Sequence, residues 1–145
     1  MSYLSKAAKL LEDYGLLIKT YGAIYETAPW GGISQPAYLN QLLIIKTDVT
    51  PYELLHICLQ AEQALGRTRD RKWDSRSIDI DIIYYNDWLV ISGDLKIPHP
   101  YRLERNFIMK MLLDIAPSYI DPIKRKTIEV LAENCEDILE VKLIS

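Results

Sequence analysis

Apolar residues recur at helical spacing near the start of the chain. Tyr3, Leu4, Ala7, Leu10, Leu11 and Tyr14 share one side of a helix, and Gly15 stands where helices usually stop. Leu17–Thr27, LIKTYGAIYET, is rich in Ile, Tyr and Thr and reads as a long strand. Residues 28–38, APWGGISQPAY, hold two prolines and two glycines and read as a loop. Leu39–Val49 reads as a second strand. A helix follows: Thr50 is an N-cap, Pro51 fits the first helical position, and Glu53 completes a capping box. Leu54, Leu55, Cys58, Ala61 and Leu65 form its buried stripe, and Gly66 ends it. After a polar stretch come a strand, Ile78–Tyr85, and a short one, Leu89–Ile91. Phe107–Pro117 is a third helix stopped by proline, and residues 127–135 suggest a fourth.

The order is α-β-β-α-β-(β)-α. It predicts the α+β class: a ferredoxin-like sandwich, mostly antiparallel, with helices on the face of the sheet. The split βαβ arrangement is β-α-β-β-α-β, and this chain matches it from the first helix onward, without the leading strand. The 145 residues suit one domain, residues 1–145. Nearly half are apolar and a quarter charged, as in ordinary globular chains. The net charge of −3 is too small to imply a nucleic-acid or membrane partner. There is no apolar run of bilayer length, and the first residues do not read as a signal peptide. A soluble cytoplasmic protein is therefore expected. Cys58 falls in the apolar stripe and reads as core; nothing suggests a disulfide with Cys135.

The chemistry concentrates around SIDIDIIYY, Ser77–Tyr85. Period-two alternation puts Asp79 and Asp81 on one side of a strand, about 6.5–7 Å apart, where like charges repel. Just before them, residues 67–76, RTRDRKWDSR, carry Arg67, Arg69, Arg71, Lys72 and Arg76 against Asp70 and Asp74, a local balance of +3. Hard cations such as Mg²⁺ take one or two carboxylates plus substrate phosphates. Arginine forks suit the remaining phosphate oxygens. Such a pair would serve phosphoryl transfer, its repulsion relieved when metal binds. A plainer reading leaves the aspartates on a solvated sheet face, balanced by nearby arginines. Another makes the basic loop a nucleic-acid patch, against which the acidic total and the strand carboxylates argue. No P-loop motif is present. A third patch, Ile97–Phe107, sets His99 between two prolines with Arg102 and Arg105 close by. A lone histidine is more often a surface residue than a catalyst, and His56 on the capped helix looks structural. Two histidines and two distant cysteines do not make a zinc site.

Three segments, TAPWGGISQPAYLNQLL, LGRTRDRKWDSRSIDIDIIYY and IPHPYRLERNFIMKMLLDIAP, resemble the 6-hydroxymethyl-7,8-dihydropterin pyrophosphokinases of folate synthesis. The resemblance spans nearly the whole chain, and R-x-R-x(3)-W-x-x-R-x-x-D-x-D is its most specific part. It implies transfer of the β,γ-pyrophosphoryl group of ATP to the hydroxymethyl oxygen of the pterin, releasing AMP. By resemblance Asp79 and Asp81 are ligands of two Mg²⁺ ions and, with Arg67 and Arg76, form the catalytic set. Thr27, Trp30, Tyr38, Asn40, Trp73 and Phe107 would line the pterin pocket. Tyr38 and Phe107 would be its aromatic faces, Asn40 the partner of its polar edge, and Trp73 part of a closing loop. Glu62, Arg67, Arg69, Arg76, His99 and Arg105 would lie near ATP. Flat heteroaromatic rings do favour stacking, and a buried amide offers a donor and an acceptor. Tyr38 and Phe107 also have a plain reading as core, and Asn40 as a turn residue. No general base is assigned; positioning and charge neutralisation should dominate.

The family normally opens with a strand of the type xYLGLGSNLGDR, absent ahead of this first helix. Three explanations are open: a true start upstream, a degenerate paralogue, or another segment in the slot. For the last, ILEVKLIS (Ile138–Ser145) or a second chain is available. Asp94 and Lys96 also depart from the basic or hydroxyl residues usual around adenosine. The leading expectation is an enzyme acting on small molecules as a monomer, or as a dimer if the strand comes in trans. The alternative is a non-catalytic pterin- or nucleotide-binding module.

Overall fold

The computed structural model describes residues 3–27, 38–66, 78–135 and 141–143. Along the chain these form α1 (Tyr3–Asp13), β1 (Leu17–Thr27), β2 (Tyr38–Lys46), α2 (Pro51–Gly66), β3 (Val90–Ile91), β4 (Lys96–Ile97), α3 (Asn106–Ile115), α4 (Ile128–Ala132) and β5 (Val141–Leu143). The α+β class read from the sequence holds. Gly15 closes α1 with a φ of 100°, a conformation that glycine adopts without penalty. The capping box at α2 forms in both directions: Thr50 N donates to Glu53 Oε1 at 2.8 Å, and Glu53 N to Thr50 Oγ1 at 3.2 Å. Tyr38, expected in the loop, begins β2 instead, because its backbone registers against Thr27.

The main sheet is antiparallel in the order β2-β1-β5, and β3 and β4 make a separate hairpin. Side chains of β2 alternate between two cores, as the pleat requires. Leu43 and Ile45 pack with Leu11 of α1 and Leu54, Cys58 and Ala61 of α2. Leu42 packs with Ile108, Met109 and Leu112 of α3 and Ile128 of α4. Helices thus cover both faces. Each buried Leu, Ile or Met contributes about 1.5–3 kcal/mol of transfer free energy. Burial in the first core, with Glu62 next in importance, pushes the Cys58 thiol up to about 12, so it behaves as an inert core residue. Among the described residues, no helix is long and apolar enough to cross a membrane.

Two expectations are corrected. Ile78–Tyr85 belongs to no strand ladder among the described residues. Its alternation survives: Ile80 and Ile82 pack into the α1–α2 core, while Asp79 and Asp81 are exposed. What it lacks, among the described residues, is a partner strand. A strand exists only where a neighbour's N–H and C=O groups meet its own. One edge of β2 is taken by β1, and its other edge pairs with nothing among the described residues. The second correction concerns the C-terminal segment. Its described part, β5, joins the sheet but pairs with Tyr25–Thr27 of β1 on the side opposite β2. It therefore extends an edge and fills no interior position.

The register of β1 on β2 shifts between Tyr21 and Ile24, and Gly22 lies in that irregularity. Gln41 Nε2 donates to Gly22 O at 2.9 Å. A Cβ added at Gly22 would meet Leu42 O at 2.8 Å, a backbone atom that cannot step aside. Gly22→Ala should therefore cost about 1–3 kcal/mol, measurable as a lower urea midpoint at unchanged m. A midpoint equal to wild type would show that the strands separate there freely.

Candidate active site

Thr27, at the end of β1, registers against Tyr38, and Tyr25 registers against Asn40. Period-two alternation sets Tyr38 and Asn40 on the same face of β2 as Leu42, the face covered by α3. Asn40 Nδ2 donates to Thr27 Oγ1 at 3.0 Å, which fixes the orientation of the amide. Thr27 is buried, Asn40 half-buried and Tyr38 exposed. Phe107, half-buried in the first turn of α3, packs against the core on this side. Four of the six residues expected around the pterin, the ones among the described residues, therefore lie on one face of the sheet. Tyr25 Oη donates to Asp114 Oδ2 at 2.5 Å, tying β1 to α3 beneath them. That bond raises the Tyr25 phenol above its ordinary range.

The acidic segment is held by side chains and by the His99 turn, with no ladder among the described residues. Ile80 N, between the two aspartates, donates to Glu62 Oε2 at 2.6 Å. Glu62 was expected near a nucleotide; here the α2 carboxylate anchors the backbone that presents Asp79 and Asp81. Further along, His99 N donates to Ile83 O at 2.9 Å, so the His99 turn lies against the same segment. Tyr84 Oη donates to Asp121 Oδ2 at 2.6 Å, and the Tyr85 hydroxyl donates to the Val49 carbonyl.

His99 follows the Ile97–Pro98 peptide, which is cis. Its Nδ1 accepts from Tyr101 N at 3.1 Å, leaving Nε2 to carry the proton in the neutral ring. Burial lowers its pKa, Asp81 opposes that shift, and Arg105 and Arg102 add to it. Asp81, His99, Arg102 and Arg105 therefore share one electrostatic neighbourhood. The Arg105 guanidinium stands 5.3 Å from the Tyr101 ring centroid. No three His, Cys, Asp or Glu residues among those described gather into a metal cage. Two exposed carboxylates at period-two spacing fit a hard cation that keeps oxygen ligands from substrate and water.

Trp30, Arg67, Arg69, Trp73 and Arg76 lie outside the described residues. His56 is exposed on α2. Asp94 is exposed in the β3–β4 turn, and Lys96 Nζ donates to Ser92 O at 3.2 Å. Sequence reasoning missed Asp121 altogether and named Arg102 only as a neighbour. Asp121 is fully buried and Arg102 nearly so. They form a salt bridge, Arg102 Nε to Asp121 Oδ2 at 2.6 Å. The one available signal was Asp-Pro, a turn-initiating pair at Asp121–Pro122.

The family model described as 7,8-dihydro-6-hydroxymethylpterin-pyrophosphokinase matches residues 1–117. A 2-amino-4-hydroxy-6-hydroxymethyldihydropteridine pyrophosphokinase of Aquifex aeolicus is 40% identical over 129 residues, covering 89% of this chain and 80% of its own length. The enzyme of that name from Methylorubrum extorquens is 41% identical over 106 residues, covering 73% of this chain and 67% of its own length. The one from Bacillus subtilis is 38% identical over 115 residues, covering 79% of this chain and 69% of its own length. The matched region contains the expected site residues from Thr27 to Phe107, and the chain belongs to the 7,8-dihydro-6-hydroxymethylpterin-pyrophosphokinase family.

Proposed function

We propose that this protein transfers pyrophosphate from ATP to 6-hydroxymethyl-7,8-dihydropterin and releases AMP, a step of folate biosynthesis. The hydroxymethyl oxygen bonds to the β-phosphorus as the bridge from the α-phosphate breaks, and the hydroxyl proton leaves to solvent. Family membership supports the reaction, and the names of the relatives lend nothing to a non-catalytic binding module. The structural observation that carries the reading is the convergence of two segments. The His99 amide bonds Ile83 O, two residues beyond Asp81, so the acidic pair and the His99–Arg105 turn flank one space.

Pterin stacks between Tyr38 and Phe107, with its amide edge on Asn40. Thr27 accepts one amide hydrogen of Asn40, so the carbonyl oxygen and the other hydrogen keep a fixed direction. Asp79 and Asp81 would hold two Mg²⁺ ions, which supply charge neutralisation of the triphosphate when bound. His99 and Arg105 face the phosphates; by the same family resemblance Arg67, Arg69 and Arg76 are assigned to ATP, and Trp30 and Trp73 to the pterin. The residues 1–145 act as one unit, as a monomer in the cytoplasm.

An AMP-release assay with the pterin, ATP and Mg²⁺ tests the activity directly. Asp81→Asn should lower kcat by about 10²–10³-fold, several kcal/mol of lost charge stabilisation, while pterin binding by fluorescence stays within twofold. Undiminished turnover in that variant would remove Asp81 from the site. Thr27→Val keeps the shape but removes the acceptor. It should raise the KM for pterin about five- to tenfold, near 1 kcal/mol, with the KM for ATP unchanged. A larger change on the ATP side would place Thr27 elsewhere.

A further inference from the structure

Asp121 lies beyond the residues matched by the family model, in the turn after α3. Its carboxylate is fully buried and accepts five hydrogen bonds. Oδ1 takes Arg102 Nη2 at 3.1 Å and the backbone N–H groups of Ile123 and Lys124, each at 2.9 Å. Oδ2 takes Arg102 Nε and the Tyr84 hydroxyl, each at 2.6 Å. A carboxylate offers about four lone-pair sites, so this one is saturated and cannot also serve a ligand. The third guanidinium nitrogen, Nη1, donates to His99 O at 3.0 Å. One buried ion pair thus grips two pieces of the site. Through Tyr84 it holds the segment that carries Asp79 and Asp81. Through Arg102 it holds the turn that carries His99 and Arg105, each three residues from Arg102. Among the described residues that segment has no strand ladder to fix it.

We infer that Arg102 and Asp121 are positioning residues of the pyrophosphoryl-transfer site, setting the distance between the aspartate pair and the His99–Arg105 turn. The inference rests on the proposed reaction for its kinetic readout, but not for its structural one. Neither residue touches substrate. A planar fork is needed because three directions must be satisfied at once, toward both Asp121 oxygens and toward the His99 carbonyl. Displacements of about 1 Å at such a site lower rates by about a hundredfold.

The test uses Arg102→Met, which keeps length and leaves Asp121 bonded to Tyr84 and two amides, and Asp121→Asn, which keeps shape and an oxygen acceptor. Two readouts are taken on each folded variant, at a temperature below its unfolding transition. In Arg102→Met, kcat/KM for ATP should fall about 10- to 100-fold while the KM for pterin stays within twofold. Amide hydrogen exchange at His99 should accelerate at least tenfold while the α2 amides of Leu54 and Cys58 keep wild-type protection. If Arg102→Met is too unstable to measure, Asp121→Asn carries the same expectation. Wild-type kinetics and His99 exchange in a folded variant overturn the inference. Equal loss for both substrates, with protection lost throughout α2, also overturns it, since the pair is then only a stabiliser of the whole. A wild-type protein without AMP release sinks the proposed reaction, and the exchange comparison at His99 still decides the positioning role.

Discussion

Backbone groups of Ile78–Tyr85 must find partners, and no neighbouring strand among the described residues provides them. That constraint organises the site. An unpaired backbone group away from water costs as much as a lost hydrogen bond. The structure answers with the Glu62 carboxylate for Ile80 N and the His99 amide for Ile83 O, and the Asp121 network holds the segment through the Tyr84 hydroxyl. A ladder fixes a strand by repetition. Here a few individual bonds do the same.

Electrostatics adds a second layer. Taking a carboxylate out of water is expensive unless donors surround it. Asp121 meets that condition through Arg102, Tyr84 and two backbone amides, which hold its carboxyl well below the usual range despite burial. Burial and the charge of Asp121 raise the neighbouring Tyr84 phenol, so it stays protonated and donates. Burial, chiefly, and the charges of Asp121 and Asp87 push Tyr119 up to about 12, and its ring lies 4.6 Å from that of Tyr84. The cluster is ionised only where it is paired and neutral elsewhere.

Local physics was legible in the chain where it acts over a few residues. Helix α2 appeared from its capping box and its apolar stripe, and β1 from its run of Ile, Tyr and Thr. Asp79 and Asp81 drew notice because acids are poor strand formers and alternate with isoleucines. Strand propensity misled at the same place. Ile78–Tyr85 has the composition of a strand, but strand formation depends on a partner that composition does not reveal. The Arg102–Asp121 pair was illegible for a similar reason. Its members are 19 residues apart, each looks like a surface charge, and only tertiary packing joins them. The bond of Glu62 to Ile80 was illegible too, since it spans 18 residues.

Burial separates the carboxylates around this segment into two kinds. Asp121 and Glu62 point inward and spend their oxygens on the protein's own donors, which makes them fixtures. Asp79 and Asp81 point outward, on the face of the segment opposite Ile80 and Ile82. Exposure keeps the Born cost of their charge small in the free protein, and their mutual repulsion is screened by water. In the proposed reaction, a cation arriving with a triphosphate would meet charge that did not have to be desolvated in advance. The inward pair supplies the stiffness, so the outward pair can remain at the surface and still be held in register.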